Sequence, residues 1–138
     1  MIARLNFPLY VKKGKAGILT GNLYRNLHWA TLAKAKKDYH EEVKNFVESL
    51  PKYNKLTIHY TLYFATKRKR DIDNFTWALH KFLMDAMVEH GSIEDDNNEI
   101  VTGFSSHFGG YDEDKEDYVI LEIDGGILVS WLCENTNS

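Results

Sequence analysis

Leu56-Thr57-Ile58-His59-Tyr60-Thr61-Leu62-Tyr63-Phe64 alternates strictly between apolar and mixed positions. In an extended chain Leu56, Ile58, Tyr60, Leu62 and Phe64 share one face, and Thr57, His59, Thr61 and Tyr63 share the other. The β-branched and aromatic content suits a half-buried pleated surface, so the stretch predicts a strand with one side in a core. It runs into Lys67-Arg68-Lys69-Arg70-Asp71-Ile72-Asp73-Asn74, where the period changes. From Asp73 to Glu89 the apolar residues Leu79, Phe82, Leu83, Ala86 and Met87 fall at helical spacing. Asp73 reads as the N-cap of this helix and His90-Gly91 as its stop.

Toward the N-terminus, Leu32, Ala35, Tyr39, Val43, Phe46, Val47 and Leu50 step by threes and fours and predict a helix over Ala30 to Leu50, closed by Pro51. Ile2 to Tyr10 alternates loosely and reads as a strand, Lys12 to Gly17 as a basic loop, and Leu19 to Asn26 as an irregular lead into the helix. Toward the C-terminus, Ile93 to Ile100 reads as an acidic loop. Val101 to Phe108 and Tyr118 to Ile123 read as strands joined like a hairpin through Gly109 to Asp114, and Ile127 to Leu132 reads as either a last strand or an interaction segment. The expected fold class is α+β, a small mixed sheet packed against two principal helices, in one domain spanning 1–138.

Charge is distributed unevenly. Met1 to Arg70 carries 15 Lys and Arg against 4 Asp and Glu, whereas Asp71 to Ser138 carries 2 against 16. Such asymmetry suits a polyanion-binding half beside an acidic half that holds divalent cations, and it equally suits two solvated faces that balance each other. A single cysteine, Cys133, excludes a disulfide scaffold, a cysteine zinc cluster and a redox CxxC pair. With no apolar run near ~20 residues and no signal-like apolar stretch at the start, the expectation is a cytoplasmic protein without a membrane partner.

Asp71 and Asp73 stand where strand gives way to helix, and a second acidic group, Glu94-Asp95-Asp96, follows that helix. Carboxylates converging on a hard cation, with water and substrate phosphate completing its shell, make a Mg²⁺ site. Both groups also have plain readings: Asp-x-Asp-Asn suits a helix cap, and Asp-Asp-Asn-Asn suits a turn. A helix of ~17 residues is ~25 Å long, so Asp71 and Asp96 meet only if the second loop folds back or feeds a strand beside the first. Lys67-Arg68-Lys69-Arg70 either pairs with the carboxylates on the surface or positions a phosphodiester backbone next to them. The six histidines show no ligand spacing, and Tyr24, Trp29 and Tyr39 suit base stacking or core packing alike.

The series Lys67-Arg68-Lys69-Arg70-Asp71-Ile72-Asp73-Asn74, then Lys81-Phe82-Leu83-Met84-Asp85-Ala86-Met87, then Gly91-Ser92-Ile93-Glu94-Asp95-Asp96 resembles the RusA family of Holliday-junction resolvases. That family carries a basic run, D-[LI]-D-N, a helical K-x-x-x-D-A, a glycine and a paired D-D. The resemblance spans about Tyr60 to Ile100, with a fainter echo at Gly21-Asn22-Leu23-Tyr24-Arg25. It implies a RusA-like fold and a metal-dependent endonuclease that resolves four-way DNA junctions by paired nicks in recombination and repair. By position, Asp71, Asp73 and Asp96 correspond to the metal-binding carboxylates, Lys81 to the catalytic lysine, and Asp95 to the neighbouring acid. Lys67, Arg68, Lys69 and Arg70 would bind DNA. The implied cofactor is Mg²⁺, with Mn²⁺ as a substitute, and no small-molecule cofactor; the implied partners are branched DNA and a second copy of the chain, since two cuts need two sites.

One spacing departs from the family. Four further residues separate the lysine from D-x-D-N; on strict family spacing Trp77 takes the lysine's place. Four residues add ~6 Å and ~40°, so Lys81 stays near the same face; its plain role is an i+4 pair with Asp85. A metal-dependent nuclease for other branched nucleic acids, and a non-catalytic nucleic-acid-binding module, are the alternatives.

Overall fold

The structure is a computed structural model that describes residues 1–128. In chain order the elements are β1 (Ile2–Leu5), β2 (Leu9–Lys12), β3 (Lys15–Ile18), α1 (Gly21–Asn26), α2 (Trp29–Ser49), β4 (Tyr53–Phe64), α3 (Ile72–Glu89), β5 (Val101–Tyr111) and β6 (Tyr118–Ile127). A four-stranded mixed sheet has the order β1-β6-β4-β5, and β2 and β3 form a separate two-stranded sheet. The fold is α+β, with the larger sheet packed against two main helices.

β4 is the central strand. Its predicted core face, Leu56, Ile58, Tyr60, Leu62 and Phe64, is buried, while the other face is half-exposed. Against the buried face lie Ala35, Tyr39, Val43 and Val47 of α2, and Ala78, Leu79, Phe82 and Leu83 of α3. Loss of a fully buried ring such as Phe82 costs about 3–5 kcal/mol. The two helices are tied by Lys36–Asp85 at 3.2 Å and by His40 Nδ1–Glu89 Oε2 at 2.6 Å.

The expected strand Ile2 to Tyr10 is two strands. Pro8 has no N–H to give a ladder, and the chain leaves the large sheet after Leu5. Phe7 then drops into the core, its ring stacked on Phe64 at 5.4 Å and edge-on to Phe75 at 6.1 Å. The expected basic loop is partly the β2–β3 hairpin, turning at Lys13 and Gly14, both at positive φ. Leu19 to Asn26 contains α1, capped by Thr20 Oγ1, which accepts from Leu23 N.

β5 and β6 do not form a hairpin. β4 lies between them, parallel to β5 and antiparallel to β6, and residues 112–117 cross the end of β4. Two bonds hold that crossing: Asp112 N donates to Phe64 O at 2.9 Å and Ala65 N to Asp117 Oδ1 at 2.8 Å. The expected strand Ile127 to Leu132 contributes Ile127 to β6; residues 129–132 lie outside the described residues. No helix among the described residues is long and apolar enough to cross a membrane.

Candidate functional site

α3 starts one residue earlier than its sequence suggests. Asp71, extended at φ −88° and ψ 101°, holds the N-cap position, and Asp73 sits in the first turn rather than at the cap. Asp71 makes no side-chain capping bond. Both carboxylates are exposed and lie at the N-terminal end of the helix.

The helix ends on a Schellman motif. Ser92 N donates to Met87 O at 2.9 Å and Gly91 N to Val88 O at 3.2 Å, with Gly91 at φ +79°, a conformation that glycine adopts without a Cβ penalty. Tyr53 N donates to Ser92 O at 2.8 Å, which pins the following loop to the first residue of β4. Within that loop Asp95 Oδ1 accepts from Asp96 N at 2.8 Å and Asp95 Oδ2 from Asn97 Nδ2 at 3.2 Å. These bonds, the backbone one first, hold the Asp95 carboxyl below its usual range. Asp95 therefore shapes the turn.

This topology separates the predicted carboxylates. Parallel strands start at the same end of a sheet, so a loop that feeds β5 lies at the start of β4, while Asp71 and Asp73 follow its end. α3 has 18 residues, ~27 Å at 1.5 Å each. Asp96 lines the cleft between α2 and α3 with Asp85, Glu89, Lys36 and Lys37; Asp73 and Asp85 are 12 residues apart, ~18 Å along the axis. One protomer thus brings Asp71 and Asp73 together and leaves Asp96 at the far end of the helix. Among the described residues no group of three His, Cys, Asp or Glu side chains is close enough to hold a metal ion.

Two exposed carboxylates still fit a hard divalent cation, which binds one or two protein oxygens and fills its shell with water and phosphate. Lys81 is exposed, eight residues from Asp73, ~12 Å along α3 and ~80° around it. Its expected i+4 partner is engaged elsewhere, because Asp85 pairs with Lys36. Trp77 is a packing residue: Tyr24 of α1 meets it edge-on at 4.9 Å and the Arg25 guanidinium lies 5.3 Å from its ring.

The basic run does not pair with the neighbouring acids. No ion pair among the described residues involves Lys67, Arg68, Lys69, Arg70, Asp71 or Asp73. Lys67, Arg68 and Lys69 are exposed. Arg70 is folded back, its guanidinium 4.2 Å over the Phe64 ring and donating to Thr66 O at 2.9 Å, Thr66 Oγ1 at 2.9 Å and Arg68 O at 3.3 Å.

Two residues absent from the sequence reading complete this region. Phe108 and Tyr111 of β5 are 48% and 42% exposed and line, with Arg68, Lys69 and Arg70, an open cavity of about 490 Å³. Their shared face was readable only from the Gly109-Gly110 pair as a bulge. The register shifts between Leu62 and Tyr63, so one extra residue turns Tyr111 to the side of Phe108. Gly109 allows it; a Cβ there would lie 2.5 Å from the Tyr63 ring.

In comparison with known proteins, no family model matches the chain and no curated protein matches it.

Proposed function

We propose that the chain is a Mg²⁺-dependent, structure-specific endodeoxyribonuclease that resolves four-way DNA junctions by paired nicks, working as a two-fold homodimer. The observation that carries this reading is the head of α3, where two exposed carboxylates and a run of four cations stand side by side without pairing. That arrangement leaves acids for a hard cation and bases for phosphates. Mn²⁺ accepts the same oxygen donors.

A Mg²⁺ ion held by Asp71 and Asp73 would supply Lewis-acid polarisation of a scissile phosphate and a more acidic water. Lys67, Arg68 and Lys69 hold the DNA backbone and orient a phosphate toward Asp71 and Asp73, without reading base identity. The Lys81 ammonium, on the exposed arc of α3, opposes negative charge growing on the phosphoryl group or the leaving oxygen.

Asp96 enters this reading through symmetry. A two-fold axis passing beside the middle of α3, perpendicular to it, would set two copies of the helix antiparallel and carry Asp96 of the partner subunit toward Asp71 and Asp73. The same axis supplies the two centres that paired cutting requires. The choice of four-way junctions rests on the resemblance of the 67–96 series to the RusA family.

A non-catalytic DNA-binding module is the second reading, favoured by the ~27 Å of helix between the two acidic groups of one protomer. Cleavage of an end-labelled immobile four-way junction, with Mg²⁺ or with EDTA and beside a linear duplex, separates the two. Metal-dependent nicks in opposing arms, absent on the duplex, support the nuclease. Binding without any cut supports the module.

A further inference from the structure

We infer that the cleft at the C-terminal end of β4 takes an unpaired nucleobase of a DNA strand, stacked on Phe108 and Tyr111, with the adjoining phosphates on Arg68 and Lys69. This inference rests on the DNA-binding part of the proposed function and adds a recognition element to it.

The cleft exists because the core face of the sheet runs past the head of α3. Phe108 pairs in register with Leu62 and Tyr111 with Phe64, both buried, so the two aromatic residues belong to the core face of the sheet. Among the described residues β5 is the outermost strand on its side. α3 begins only at Ile72, and the stretch before it, Lys67 to Arg70, is polar. The rings are left half-covered where a helix would otherwise close the layer. Phe108 lies 6.5 Å from Phe64, nearly parallel to it, and 5.2 Å from Tyr111, edge-on, which makes a continuous aromatic wall.

Bonds within the chain join the walls of the cleft. Arg70 is fixed over Phe64 by its bonds to Thr66 and Arg68. Tyr111 OH donates to Arg68 O at 3.4 Å, so the wall and the basic run are joined. A cavity of about 490 Å³ falls in the range of small-ligand sites.

The lining selects the chemistry of the occupant. Flat aromatic faces beside exposed cations suit a planar heterocycle attached to phosphates. An apolar peptide would leave Lys67, Arg68 and Lys69 without partners. A base inside a duplex has both faces covered by its neighbours, so only an unstacked base offers one to Phe108. Branch points supply such bases, and the cleft adjoins Asp71 and Asp73.

The test compares binding of the full chain, in EDTA, to a DNA duplex with one unpaired base and to the same duplex fully paired. The expected preference for the unpaired base is about tenfold or more, as base–aromatic stacking gives elsewhere. Phe108→Leu keeps the apolar contact with Phe64 and removes the flat ring, so it should abolish the preference while leaving duplex affinity and thermal melting unchanged. Tyr111→Leu should likewise abolish the preference, and Phe108→Trp should retain it. Equal affinity of the wild-type chain for both DNAs overturns the base site and leaves the DNA-binding reading standing. Absence of binding to either DNA at low salt overturns both. A drop in solution mass in Phe108→Leu would mark the ring as a subunit contact and overturn the base site.

Discussion

The Tyr60 hydroxyl and His80 Nδ1 share a 2.7 Å hydrogen bond across the interface between β4 and α3. On its other side the imidazole stacks on Phe104 at 4.1 Å. Burial, with Lys81 as a second cause, lowers the His80 pKa to about 4, so the ring is neutral near pH 7. Its ordinary value is 6.5, and the unfolded chain therefore binds the proton more readily. Stability from this group is complete above pH ~6.5 and is lost as pH falls toward 4, by on the order of 3 kcal/mol in all. His80→Asn places a non-titrating amide near the position of Nδ1, and its urea midpoint should fall less between pH 7 and pH 4.5 than that of the wild type. Equal slopes would show that other groups set the acid sensitivity.

Asp73→Asn removes a negative charge beside the basic run and leaves Lys67, Arg68 and Lys69 in place. Junction cleavage in Mg²⁺ should vanish, while junction affinity in EDTA should hold or rise severalfold. Joint loss of cleavage and binding would sink the metal-ligand assignment, because a ligand to the cation has no part in metal-free binding.

If Asp96 serves the other protomer's site, two inactive variants should repair each other. A dimer of one Asp73→Asn chain and one Asp96→Asn chain holds one intact centre and one doubly defective centre. Mixing the two variants should restore single nicks in a junction, measured on a denaturing gel with each arm labelled in turn. A site contained within one chain predicts no recovery at any ratio.

Much of the fold was legible because side-chain periodicity reports which face is buried. The β4 alternation and the helical spacing of α2 and α3 are of this kind. Strand order is different: it depends on backbone edges, which no side-chain pattern marks. Val101 to Phe108 and Tyr118 to Ile123 thus read as a hairpin although β4 separates them. The same blindness governs the site. Asp71 and Asp73 are neighbours in sequence and in space, but the place of Asp96 depends on β5 being parallel to β4, and this puts it at the opposite end of α3. The break of the first strand was marked by Pro8, whose missing N–H outweighs the loose alternation around it.

The exposed cations should account for the salt dependence of binding. Each phosphate contact contributes a slope of about −0.9 in log K against log salt on duplex DNA. Lys67→Ala and Lys69→Ala together should reduce the slope by about 2 and weaken binding to all duplexes alike. Their side chains are exposed and, among the described residues, unpaired, so thermal melting should not move. An unchanged slope would place the DNA on another face.

Trp77 and Lys81 compete for the role implied by the 67–87 series, and their surroundings separate them. Trp77 is wedged against Tyr24, and α1 is further tied to this turn of α3 by Asn22 N donating to Asn74 Oδ1 at 2.9 Å. Removing the indole should therefore loosen α1, and Trp77→Ala should cost about 2–3 kcal/mol of stability, somewhat less than a fully buried ring. Lys81 projects from the exposed arc, with Asp85 already held by Lys36. Lys81→Met keeps the stem and removes the charge, so urea unfolding and junction binding should stay as they are. Its effect should fall on the single-turnover cleavage rate, lowered about 10²- to 10³-fold, the scale for loss of one group that stabilises transition-state charge. Lys81→Arg should recover part of that rate. A Lys81→Met protein that cuts at the wild-type rate would return Lys81 to an ordinary surface residue.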